Sequence, residues 1–199
     1  MVIRGPNSIG IHRRDSAWVI DLLSDDGMNR LNTDKVATLS REITSLASQS
    51  SLLPLVLTGS GNFFSVGADL NEINQLSGVS AYDFALAGQR LMNAVDGYPA
   101  PVIAAINGYC MGGGLDLALA CDLRICSPNA IFGHRGAALG IMTGWGGTQR
   151  LPRLIGKSRA MQMFLTVEKL HASEAKSIGL VDLIFDNPVQ AALEQLHRS

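Results

Sequence analysis

PVIAAINGYCMGGGLDLALACD, Pro101 to Asp122, is the stretch that decides the fold. Val102 to Ile106 is an apolar run suited to a buried strand. Asn107-Gly108 and then Gly112, Gly113 and Gly114 punctuate the chain, and an apolar segment follows in which Asp116 and Asp122 are the only charges. Strand, glycines and buried helix present free backbone N–H groups at a helix start, where negative charge is stabilised. A carboxylate two residues after the last glycine sets an acid or base beside a candidate anion hole, which is a catalytic layout.

Working outward, LPLVLTGSGNFFSVGADL (Leu53 to Leu70) is a second strand-like run ending in glycines, two aromatics and Gly67-Ala68-Asp69. A nucleotide-binding reading of Gly59-Ser60-Gly61 fails, because Phe64 stands where a third glycine is needed and no Gly-Lys-Ser/Thr follows. Trp18 to Leu23 reads as a further strand, with shorter candidates at Leu123 to Ile125, Ile131-Phe132 and Val181 to Phe185. Between them lies helical spacing. Val36, Leu39, Ile43 and Leu46 follow Asn32-Thr33; Phe84, Gly88, Leu91 and Val95 follow Ser80 as a cap; Met161, Phe164 and Leu165 follow Ser158. A short helix runs from Ser173 to a stop at Gly179, and Asn187-Pro188 opens one with Val189, Ala192, Leu193 and Leu196 on one face. That face is expected to dock on the chain's own core or on a partner. Alternating strands and helices predict an α/β fold with mostly parallel strands, and no linker or repeat divides residues 1–199, so one domain is expected.

Bulk properties agree with an ordered protein: 199 residues, 47% hydrophobic and 17% charged, enough for a substantial core. A net charge of −1 gives no electrostatic reason to expect nucleic acid or an anionic membrane as partner. The N-terminus has no apolar signal core and no stretch is long enough to span a bilayer, so a soluble cytoplasmic protein is expected. Cys110, Cys121 and Cys126 form no Cys-x-x-Cys pair and read as small buried hydrophobes, and the four histidines have no metal-site spacing.

With FGHRGAALGIMTGWGGTQRLPRLIGKSRAMQMFLT (Phe132 to Thr166) and AKSIGLVDLIF (Ala175 to Phe185), these segments together resemble the crotonase (enoyl-CoA hydratase/isomerase) superfamily from about Trp18 to Phe185. The resemblance implies a spiral of ββα units, an acyl-CoA substrate that carries its own coenzyme A, no other cofactor, and a homo-oligomer, a trimer or dimer of trimers. The family's usual C-terminal helical region is short or missing before Ser199. Ala68 and Gly113 match the two oxyanion donors, which must converge on one thioester oxygen. Asp116 matches a catalytic carboxylate; its other reading is an acidic residue favoured in a first helical turn. Asp122 reads as structural.

The resemblance places Met28, Arg30, Val66, Asp69 and Leu70 around the acyl-CoA, with Tyr109, Met111 and Gly112 from the Gly-rich segment. Asp25 to Asn32 occupies the early CoA-binding loop, but Asp-Asp-Gly replaces the usual basic residue and leaves Arg30 to meet the phosphates. The second acid is absent: hydratases carry Glu where this chain has Gly136, and the alternative acid position is Gly144. Glu introduced at Gly136 is expected to raise hydration. His134 reads as an acid or base or a packed histidine, and Arg135 as a carboxylate or phosphate anchor or a surface residue. Trp145 walls the acyl pocket or simply packs. One carboxylate favours double-bond isomerisation over hydration; the alternatives are decarboxylation of a malonyl-type CoA thioester and a non-catalytic CoA-binding or assembly subunit.

Overall fold

The computed structural model describes residues 9–14 and 16–197. Its strands are β1 (Ile9–Arg14), β2 (Ala17–Leu22), β3 (Leu55–Gly59), β4 (Phe63–Ser65), β5 (Val102–Ile106), β6 (Tyr109–Met111), β7 (Leu123–Cys126), β8 (Ile131–Gly133), β9 (Leu170–His171) and β10 (Leu183–Ile184). The helices are α1 (Thr33–Ala47), α2 (Leu70–Ile73), α3 (Gly78–Asp96), α4 (Gly113–Leu119), α5 (Gly147–Ile155), α6 (Lys157–Thr166), α7 (Ala172–Ser177) and α8 (Pro188–His197). A 3-10 turn, Gly136–Leu139, follows β8.

The strands form two sheets, ordered β1-β2-β3-β5-β7-β10 and β4-β6-β8-β9. All neighbours are parallel except β1 with β2 and β8 with β9. The chain repeats one move: β3, β5 and β7 run in the large sheet, and each is followed at once by β4, β6 or β8 in the small sheet, then by helix. These are the ββα units of the expected spiral.

The apolar runs read as strands because both of their faces are buried. In β5, Val102, Ala104 and Ile106 join the main core, while Ile103 and Ala105 face the other way. That second face also takes Ala17, Val19, Val56 and Ile125, and it is covered by Ala192 and Leu193 of α8, with Val189 and Leu196 packed at its edge. The apolar side of the last helix therefore docks on the chain's own sheet. Each Leu or Ile so buried contributes about 1.5–3 kcal/mol.

Local chemistry sets the helix starts. Asn32 caps α1, its side chain accepting from the Lys35 N–H at 2.9 Å. The cap of α3 is Ser77, a turn earlier than Ser80: the Ser80 hydroxyl accepts from the Ser77 N–H at 2.7 Å, so Ser80 is the inner half of a reciprocal pair. Gly156, not Ser158, precedes α6, and His171, not Ser173, precedes α7, where the Glu174 carboxylate accepts from the His171 N–H. Asn187 does open α8, accepting from Gln190 N–H at 3.1 Å. Among the described residues no helix is long and apolar enough to cross a membrane.

Candidate active site

β4, β6 and β8 are parallel neighbours, so the loops that leave their C-terminal ends emerge side by side. The first loop carries Ala68, the second Gly113 and the third His134. Gly67 and Gly112 make the turns with positive φ, 92° and 52°, a conformation that favours glycine. The first two loops touch backbone to backbone. A Cβ on Gly67 would lie 2.6 Å from Gly113 N, and one on Gly113 would lie 3.3 Å from Ala68 N.

The amides around this contact are committed. Gly67 N–H donates to Ser65 Oγ at 3.0 Å, Gly67 O accepts from Leu31 N–H at 2.9 Å, and Gly112 N–H donates to Gly133 O at 2.9 Å. The Ala68 and Gly113 N–H groups, between them, have no hydrogen-bond partner among the described residues. Two neighbouring amides left open, one of them at a helix start, are an arrangement that can receive a negatively charged oxygen.

Asp116 lies one turn beyond Gly113, on the same face of α4, and its side chain leans back toward the helix start. Its carboxylate is 1% exposed and held at both oxygens. His134 Nε2 is 3.0 Å from Oδ1, and the Thr143 hydroxyl donates to Oδ2. The Thr143 oxygen in turn accepts from the Trp145 N–H at 3.3 Å. The first turn of α5 abuts the same carboxylate: a Cβ on Gly147 would be 2.1 Å from Oδ1 and 3.1 Å from His134 Nε2, so a larger residue has no room there. Two helix starts thus meet at Asp116 and favour negative charge in that space. Burial pushes the Cys110 thiol on β6 well up, with Cys121 and then Asp116 adding to the effect, so it stays neutral. Cys121 and Cys126 are raised to about 12, chiefly by burial.

Trp145 packs. Its ring lies 5.2 Å from Phe84, its Nε1–H donates to Phe84 O, and it fills the space that side chains at Gly88 and Gly113 would need. It therefore backs the open amide of Gly113. Met111 is buried against Gly133. Val66 N–H donates to Met28 O at 3.1 Å, which ties the early loop to the first site loop. Met28 and Leu70 are exposed beside it.

The other residues expected around the substrate have the following partners within the chain. Asp69 caps α2 through Asn71 N–H, and the Tyr109 ring stacks on Phe63 at 5.2 Å. Arg30, expected to meet phosphates, pairs with Asp26 of its own loop and donates to the Met28 sulfur. The Met28 N–H, then Arg30, hold the Asp26 carboxyl down to about 2. Arg135 is exposed at the start of the 3-10 turn, and Asp122 is structural, accepting from Val102 N–H at 2.8 Å. The expectation for a Glu at position 136 is corrected: a Cβ there would lie 2.6 Å from the Ile141 carbonyl oxygen, so the backbone would have to move. At Gly144 a Cβ would meet the Ala85 methyl at an ordinary 3.4 Å.

Four residues of the site were not read from the sequence. Asn29 is buried at φ 52°, its amide donating to Ser60 O and Phe63 O, and its carbonyl accepting from Ser65 Oγ. Ser65 passes that order on to Gly67. An Asn inside a loop signals this, since Asn tolerates left-handed backbone and bonds locally. Thr143 and Gly147 lie 27 and 31 positions from Asp116 and had no local signal.

The sequence profile of a family described as Enoyl-CoA hydratase/isomerase matches residues 13–198. Crotonyl-CoA hydratase of Syntrophomonas wolfei is 38% identical over 178 residues, 89% of this chain and 68% of that protein. Short-chain-enoyl-CoA hydratase of Clostridium acetobutylicum is 35% identical over 181 residues, covering 90% and 69%. Among solved structures, enoyl-CoA hydratase from Bacillus anthracis matches with a TM-score of 0.91 at 34% identity, over 96% of this chain and 75% of that one.

Proposed function

This chain belongs to the enoyl-CoA hydratase/isomerase family, and from that premise we propose that it moves a double bond within an acyl-CoA thioester. The observation that carries the reading is the pair of uncommitted amides, Ala68 N–H and Gly113 N–H, set against each other one helical turn from a buried carboxylate. The thioester oxygen accepts from both amides, which polarises the carbonyl and acidifies the adjacent C–H. Asp116 takes that proton, the C–H electron pair moves into an enolate, and the charge rests on the thioester oxygen. Asp116 then returns the proton at the far end of the conjugated system. One carboxylate suffices for this exchange, because no water is activated.

Hydration is the second reading, favoured by the identity to proteins named crotonyl-CoA and short-chain-enoyl-CoA hydratases. Against it stand Gly136 and Gly144, which put no second carboxylate opposite Asp116. A panel of crotonyl-, 3-enoyl-, dienoyl- and malonyl-type CoA thioesters, read by conjugated enoyl-thioester absorbance alongside CoA-ligand calorimetry, decides between them. A 3-enoyl thioester is expected to gain conjugation faster than crotonyl-CoA loses it. Faster loss of crotonyl-CoA makes the protein a hydratase, release of carbon dioxide makes it a decarboxylase, and binding without turnover makes it a CoA-binding subunit.

A further inference from the structure

A buried carboxylate needs partners, and neutral donors such as the Thr143 hydroxyl and a backbone amide would serve. At Asp116 one of the two is instead an imidazole, itself 4% exposed, with its ring 5.1 Å from Phe164. An amide side chain could hold the carboxylate equally well. What an imidazole adds is a rigid ring clamped by its packing, 3.0 Å from a carboxylate in a buried site.

We propose that His134 is a positioning residue that acts through Asp116: packed in place, it holds the carboxylate toward the open amides. The inference rests on the acyl-CoA reading above. With a neutral ring, Nε2–H is donated to Oδ1, Thr143 holds Oδ2, and Asp116 accepts the substrate proton on a remaining lone pair. The C–H electrons pass to the enolate, and return of the proton restores the pair. The carboxylate–histidine logic of hydrolase triads is used here with the roles exchanged, the carboxylate reacting and the imidazole orienting it.

The surroundings leave this contact undisturbed. From β6 the pair meets the Cys110 thiol, which burial keeps neutral; from α5, Gly147; from α6, Phe164. Arg159 of α6 is engaged with Glu168 at 2.6 Å, and Arg135, the next residue in the chain, is solvent-exposed.

The test compares His134→Gln, which keeps an N–H donor without a chargeable ring, with His134→Ala. Using the thioester the wild type turns over best, His134→Ala is expected to lower kcat about 10- to 100-fold with little change in KM. His134→Gln, whose amide can still donate to the carboxylate, is expected to recover most of that loss. A wild-type kcat in His134→Ala, or a His134→Gln no faster than His134→Ala, overturns the proposal. Ring-nitrogen NMR shifts of His134 at one fixed pH in wild type and Asp116→Asn give a readout that needs no turnover: the Nε2 shift is expected to move when the carboxylate is removed, and superimposable spectra overturn the contact. If the wild type neither binds nor converts any thioester, the acyl-CoA reading fails, while the ring-nitrogen shift still judges the pair.

Discussion

At Asp116 the Thr143 hydroxyl donates to one oxygen and His134 Nε2 lies 3.0 Å from the other, so each oxygen has one close polar neighbour and a lone pair left over. Replacing it with Asn keeps the shape and removes the base. Turnover of Asp116→Asn should fall by about two to four powers of ten, with acyl-CoA affinity by calorimetry little changed; full activity would assign Asp116 a structural role. The two glycines at second-acid positions differ in what they allow. Gly136→Glu forces a Cβ against the Ile141 carbonyl and should cost about 1–3 kcal/mol in a denaturant melt. Gly144→Glu meets only ordinary contact and should melt near the wild type, so it is the position at which to add a carboxylate and look for gained hydration.

At the scale of elements, what was legible depended on whether an element's signal is local. Val102 to Ile106 is a strand in full because apolar residues on both faces leave it no other place than between two layers. Gly112 to Gly114 and Asp116 were visible because strand, turn and helix start follow one another within a few residues. α5 was not: Gly146-Gly147 opens it, Pro152 sits inside it, and Leu151 is its one large fully buried side chain. β4, β6 and β9 are too short for alternation to register, and β1 ends in His-Arg-Arg on the sheet edge. Caps one turn out of place, Ser80 for Ser77, arose because both residues can play either half of the pair. Trp145 shows an element-level dependence. Trp145→Ala removes the packing behind Gly113 and between two glycines, and should cost about 3–5 kcal/mol with a larger loss in kcat than in affinity.

For the molecule as a whole, one buried ammonium links stability to pH. Lys35 of α1 is enclosed with Nζ 2.6 Å from the Leu23 carbonyl, and burial lowers it from the ordinary 10.5 to about 8, against a raising effect of Asp26. Between those values the unfolded chain holds more protons than the native one, so stability rises with pH from about 8 toward 10.5 and is flat below. Tyr98 acts oppositely: burial raises it above 10.0, so its contribution falls as the unfolded chain loses that proton first. Urea midpoints at pH 7.5 and 9 should therefore increase in wild type and not in Lys35→Met; parallel changes in both would remove Lys35 as the cause. Saturating acyl-CoA should raise the melting temperature by mass action, and an unchanged transition at millimolar ligand would remove the acyl-CoA reading.

The open amides of Ala68 and Gly113 have a spectroscopic corollary. An N–H without an intramolecular acceptor needs no unfolding event to trade its hydrogen for deuterium, so both should exchange early, while their committed neighbours Gly67 and Gly112 wait for local opening. A bound thioester would reverse that order at two positions 45 residues apart in the chain. The two signals then form a built-in label, readable before any turnover is measured, and their simultaneous slowing would report that one oxygen has reached both.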